Sequence, residues 1–110
     1  MTTDDEDTAD VGDDLEISKI TRQAAGAGTW VCGRLAGHRF DALVFPEHAL
    51  DPEFELGKSR LSKLWIWQLS DGRMVFAWDR GMDIPAADEM THALVDFLAA
   101  GLADLAYATR

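Results

Sequence analysis

The side chains whose type and placement make them candidates for covalent or proton-transfer chemistry at neutral pH are one cysteine (Cys32), three histidines (His38, His48 and His92) and, among the twenty Asp and Glu, the pair Asp79 and Asp83 that flank Arg80-Gly81. Nucleophilic catalysis needs a nucleophile, a base within hydrogen-bond reach and a third group that orients the base. Cys32 falls mid-strand, while the histidines fall at a turn, in a loop and on a helix, with no spacing that ties them together. Cys32 therefore reads as a small buried residue, the usual state of a free cysteine. One cysteine and three scattered histidines make no zinc pattern. Gly26-Ala27-Gly28 precedes a strand instead of opening a helix, so it is neither a phosphate loop nor a dinucleotide fingerprint. Two carboxylates can do acid–base work, but Asp79 has Arg60, Lys63 and Arg80 as ion-pair candidates and Asp83 is placed to cap a helix. A hydrolase or nuclease using Asp79, Asp83 and a histidine is the enzymatic alternative. The residues assign no catalytic group, cofactor or metal, and the expectation is a protein that is not an enzyme.

The elements that would position these groups belong to one small domain. The chain has 110 residues and a 47% apolar share, about one domain with a core that needs no metal or disulfide staple. The net charge of −10 is unevenly placed. Eight acids and no Lys or Arg lie before Ile17, leaving twelve acids against ten bases in the remainder. Residues 1–14 are thus expected to be a disordered acidic tail, because a self-repelling segment with almost no apolar residues cannot offset the entropy of ordering. Residues 15–110 are expected to form a single domain. A nucleic-acid-mimicking tail that occupies a basic groove on a partner is the sharper alternative. The acids lack the alternate ligands, central Gly and distal Glu of a calcium loop.

The near-neutral remainder offers no basic face for phosphates, so direct nucleic-acid binding is not expected. The apolar-rich residues 93–108 are interrupted by Asp96 and Asp104 and are too short to span a bilayer. With an acidic N-terminus and a lone cysteine, the sequence suggests a cytoplasmic protein without membrane association.

Turn chemistry predicts two hairpins. Residues 29–35 and 39–45 flank Ala36-Gly37-His38, and residues 61–69 and 73–78 flank Ser70-Asp71-Gly72, where Asp-Gly favours the positive φ angles of tight turns. Residues 15–25 read as a short helix or an approach to the first strand. Residues 46–59 form a long connection pinned by Phe54 and Leu56. A final helix is predicted to start at Asp83-Ile84-Pro85 and to bury Met90, Leu94, Phe97, Leu98, Gly101 and Leu105, with Val95 and Leu102 widening the stripe. The predicted fold is α+β: a four-stranded antiparallel meander with one long C-terminal helix across one face.

Strand alternation puts Leu64 and Ile66 on one face and Leu61, Trp65, Trp67 and Leu69 on the other, so the sheet is apolar on both sides. One helix covers one face. The other needs a cover from the chain itself, a second copy or another protein, because an open face with two tryptophans exceeds what monomers usually expose. The expected contact surface has Trp65, Trp67 and Leu69 as anchors, with Arg60, Lys63 and Arg80 at its rim. The expected function is a protein–protein interaction module, with a structural homo-oligomer such as a homodimer as the alternative.

Three segments carry a resemblance. Trp30-x-x-Gly33, then the run Gly57-Lys58-Ser59-Arg60-Leu61-Ser62-Lys63-Leu64-Trp65-Ile66, then Trp78-Asp79-Arg80-Gly81-Met82-Asp83-Ile84 resemble a family of small uncharacterised proteins of phages, prophages and bacteria. The resemblance covers roughly residues 30–98. It implies a compact domain of unknown function carried on mobile elements and supplies no catalytic residues. The acidic tail and the longer, Ala-rich final helix depart from that pattern.

Overall fold

A computed structural model describes residues 15–23 and 27–107; the expected acidic tail, residues 1–14, lies outside them. Six strands form one antiparallel sheet in chain order: β1 (Glu16–Arg22), β2 (Thr29–Leu35), β3 (His38–Val44), β4 (Leu61–Gln68), β5 (Met74–Asp79) and β6 (Met82–Ile84). One helix, α1 (Glu89–Tyr107), follows and lies across one face. The class is α+β with an antiparallel meander and a C-terminal helix, but the strands number six, not four. β1 replaces the helix or approach expected over residues 15–25. As an edge strand it is almost wholly exposed, so it carries no apolar alternation to read. β6 has three residues, all exposed, where the helix was expected to begin.

The two expected hairpins form around their turn residues. Ala36 and Gly37 take φ of 50° and 76° and make a two-residue turn, the geometry that matches strand twist. His38 accordingly opens β3 instead of belonging to the turn. In the β4–β5 turn Gly72 has φ 72°, its N–H donates to the Gln68 carbonyl at 2.7 Å, and the Asp71 carboxylate accepts from the Arg73 N–H at 3.0 Å. Gly33 answers a different demand. A Cβ there would lie 2.2 Å from the Glu16 carbonyl oxygen, so only glycine lets β1 pair this closely with β2.

Four register shifts interrupt the sheet, and two of them change which side chains reach the core. β3 and β4 slip by one residue between Leu43↔Lys63 and Val44↔Leu61, with Ser62 as the extra residue. That slip turns Leu61 inward, where it is fully buried, correcting its expected place beside Trp65. A second bulge at Val75 lets both Val75 and Phe76 join the core. The other two, at Ser18 and Asp83, sit in the β1–β2 and β5–β6 pairs at the two edges of the sheet.

The helix begins at Glu89, not at Asp83. The Asp88 carboxylate caps it, accepting from the Thr91 N–H and hydroxyl, both at 2.8 Å, as N-cap residues do. These hydrogen bonds hold the Asp88 carboxyl below its ordinary pKa. The buried stripe is Thr91, Leu94, Val95, Leu98, Leu102, Ala103 and Ala106. Of the expected stripe, Met90, Phe97, Gly101 and Leu105 face outward instead. Ala103 and Ala106 let the helix sit close to the sheet, whereas Leu94, Leu98 and Leu102 each add about 1.5–3 kcal/mol of apolar burial. At the far end the Tyr107 hydroxyl bonds Thr29 Oγ1 at 2.8 Å and donates to the Val44 carbonyl at 3.2 Å. No helix of the described residues is long and apolar enough to cross a membrane.

Candidate functional site

The face opposite α1 is built by alternation on β2, β3 and β4. Trp30 pairs with Leu43 and Leu43 with Lys63, while Cys32 pairs with Asp41 and Asp41 with Trp65. These residues therefore share the face that the helix leaves free. Trp30 and Trp65 stack across β3, with centroids 5.8 Å apart and planes at 22°. Trp67 lies under the Arg39 guanidinium at 4.3 Å, and Arg39 also meets Asp41 at 3.3 Å. Trp30, Trp65 and Trp67 are half-buried. Leu69, just past the end of β4, is 49% exposed. Neither β1 nor the helix covers this face: β1 extends the sheet edge instead of crossing it.

The expected rim residues gather at one end of the face rather than around it. Arg60, Lys63 and Arg80 line a cavity of about 640 Å³ with Leu43, Phe45, Phe54 and the loop at His48. That is within the size range of small-molecule sites. Lys63 Nζ donates to Asp79 at 2.9 Å, one of the three ion pairs the sequence allowed for Asp79. Arg60 is held by Asp104 and by the Pro46 carbonyl at 3.1 Å. Arg80 lies 5.8 Å from the Phe54 ring. Both arginines sit in the left-handed region, at φ 66° and 57°, a conformation that costs a non-glycine residue about 1 kcal/mol or more. The Arg80 N–H is anchored on the Ser62 carbonyl at 2.8 Å. Leu56 packs on the core as expected, but Phe54 is 41% exposed and borders the cavity instead of pinning the loop.

A group missed in the sequence organises that loop. Glu55 is buried and its carboxylate accepts three hydrogen bonds, from His48 Nδ1 at 2.7 Å, Ala49 N at 2.7 Å and Arg60 N at 2.6 Å. Burial alone would push its pKa up. The hydrogen bonds from His48, Ala49 and Arg60 outweigh that and hold it below the ordinary value. The only signal in the sequence was a Glu seven residues after a His in a long loop, which is no motif.

The remaining chemistry-bearing residues stay apart. His38 is buried and donates from Nδ1 to the Ala36 carbonyl at 2.7 Å. His92 faces Asp96 on the exposed side of the helix at 3.3 Å. Asp83 is exposed in β6. Cys32 is half-buried on the tryptophan face, not fully enclosed as expected. Burial, then the hydrogen bond and charge of Asp41, push its thiol up to about 11, which leaves it a poor nucleophile. Among the described residues, no three of His, Cys, Asp and Glu come together as metal ligands.

No curated protein and no solved structure matches the chain. From the first residue of β2 into the helix, residues 29–103, it matches the family model described as a domain of unknown function (DUF7678). That span is more than half of the sequence and holds four whole strands of the meander, β6 and most of the helix; the chain belongs to this family.

Proposed function

We propose that the chain is a non-enzymatic protein–protein interaction module whose contact surface is the tryptophan face of the sheet. The observation that carries this reading is the cluster of Trp30, Trp65 and Trp67, half-buried on a face that the helix leaves free. Tryptophan and arginine concentrate binding energy at interfaces, and Arg39 sits on Trp67. Trp65, Trp67 and Leu69 are the anchors. Lys63 joins them from one end, with Arg60 and Arg80 beyond it. In its finer form the module is a cytoplasmic accessory factor of phages or other mobile elements that modulates a host protein, without cofactor, membrane or direct nucleic-acid contact.

The test is affinity capture of the tagged protein, followed by titration of the purified captured protein against the parent and a Trp65→Ser/Trp67→Ser variant. Each tryptophan should contribute about 2 kcal/mol or more, so the double variant should bind at least about a hundredfold more weakly while keeping its circular dichroism. Equal affinity for both proteins would remove this face from the reading.

A second reading rests on the helix. Met90, Phe97 and Leu105 are 50%, 37% and 40% exposed, and Phe97 and Leu105 line a small apolar cleft with Leu15. A second copy of the chain that buried this stripe would make a homodimer. A monomer mass that does not change with concentration in sedimentation would refute it.

A further inference from the structure

We propose that the cavity between the 45–60 loop and the ends of β4 and β5 binds a small amphipathic monocarboxylate, a molecule with an apolar body and a single acid group. Most charges around the cavity are already matched. The Glu55 carboxylate is taken by three donors. Lys63 is matched by Asp79, and Arg60 by Asp104 and the Pro46 carbonyl. Arg80 differs. It is exposed, and among the described residues its guanidinium meets no carboxylate, only the Phe54 ring at 5.8 Å. Glu47, the other charge of the lining that meets no opposite charge among the described residues, is exposed. Arg80 is thus the lining's one cation without a carboxylate partner, and a fork of guanidinium N–H donors fits a carboxylate in two-point contact.

Most of the exposed wall is apolar. Leu43, Phe45 and Phe54 line it, and Phe54 keeps 41% of its surface exposed there, area that an apolar ligand body would cover. The volume of about 640 Å³ lies in the range of small-molecule sites. The site is also built to hold its shape. Glu55 ties His48, Ala49 and Arg60 together, and Arg80 keeps a left-handed backbone, its N–H bonded to the Ser62 carbonyl. Strain of that kind persists where the surroundings over-determine it, and such places are frequently ligand sites. A dianion or a phosphate is less well matched, because the second charge would have to compete for Lys63 or Arg60.

The experiment titrates decanoate and its neutral counterpart decanamide into the full chain, by calorimetry and by amide chemical shifts. Parallel titrations use Arg80→Gln, Phe54→Ala and, as a variant on the tryptophan face outside the cavity lining, Trp67→Ser. Decanoate should saturate below about 1 mM, with shifts centred on Leu43, Phe54, Lys63 and Arg80. Decanamide should bind about tenfold more weakly, and Arg80→Gln should bring decanoate down to the level of the amide, the loss expected for one charge-assisted contact. Phe54→Ala should weaken acid and amide alike, and Trp67→Ser should change neither. The proposal is overturned if decanoate does not saturate, if acid and amide bind equally, if Arg80→Gln keeps the preference, or if the shifts lie elsewhere. None of these outcomes depends on whether the tryptophan face binds a protein.

Discussion

Replacing Glu55 with glutamine removes the buried charge that ties three points of the 45–60 loop. Oε2 accepts from His48 Nδ1 and Arg60 N, and Oε1 accepts from Ala49 N. A glutamine has one acceptor oxygen, so its best arrangement keeps the first two donors and turns its NH₂ towards the Ala49 N–H. The two kept bonds fall from the charged class, about 1.5–3 kcal/mol, to the neutral class, about 0.5–1.5 kcal/mol. The third donor is stranded, at a further cost of about 1–3 kcal/mol. Because the loop is at the surface and can relax, we expect a loss of about 3 kcal/mol, a large share of the stability of a small domain. Urea denaturation of the parent and Glu55→Gln measures it, with the exposed neighbour Glu47→Gln as a control, expected to change by less than about 0.5 kcal/mol. The same groups set a pH dependence. A carboxyl held below its ordinary pKa contributes stability above the unfolded value, near 4.3, and loses it as pH falls through the lower folded value. The parent should thus lose stability more steeply than Glu55→Gln below about pH 4.5. A Glu55→Gln loss no larger than that of Glu47→Gln, with acid limbs of equal slope, would refute the account of the loop.

Two other predictions concern the sheet. Gly33→Ala places a Cβ 2.2 Å from the Glu16 carbonyl, so β1 must move off β2. A loss of about 1–3 kcal/mol is expected, with faster amide exchange across residues 16–22, and unchanged protection there would contradict it. For Cys32, a thiol pushed from 9.0 to about 11 has roughly a hundredfold less thiolate at pH 8 than the unfolded chain. The thiolate of a higher-pKa thiol is more nucleophilic, which offsets part of that loss. Iodoacetamide should therefore modify the native protein at least about tenfold more slowly than the urea-unfolded one, and equal rates would show that the thiol is not shielded. In stability, the neutral thiol is favoured in the fold, so its contribution is intact below about pH 8.5 and falls away as pH rises towards the folded value.

The outer strands and the helix phase show where local reading failed. β1 and β6 were missed because their pairing is a property of the neighbouring strand: exposed edge residues such as Ser18, Lys19 and Asp83 carry no apolar period. The helix was placed a few residues early because Pro85 is a good first-turn residue, yet Asp88 has Thr91 three residues on to cap and Asp83 does not. The expected stripe follows helical spacing through mostly large apolar side chains. The buried positions include Thr91, Ala103 and Ala106 because the helix approaches the sheet closely, and only docking decides that.

The candidate site divides in the same way. Trp65 and Trp67 are legible as same-face neighbours because strand alternation is local, whereas the sequence leaves Arg60, Lys63 and Arg80 open as partners of Asp79 and the register of the β4–β5 hairpin selects Lys63. Trp30 was not legible as their partner, since its stack on Trp65 depends on the register of β2, β3 and β4 together. Leu61 was assigned to the wrong face because a single bulge at Ser62 reverses the alternation. The Glu55 cluster and the cavity beside Arg80 left no trace in the sequence, since they join residues 43 to 80 through a loop without periodicity.

What the sequence determined by itself was therefore what rests on neighbouring residues: the class, the two central hairpins, the existence of a final helix, and a sheet with tryptophans on one of its faces. What only the tertiary structure decided was the number of strands, the phase of the helix, and the meeting of Arg60, Lys63 and Arg80 around one cavity. Those follow from register and close approach, where a one-residue slip or a missing Cβ changes which side chains meet, and no local pattern records either.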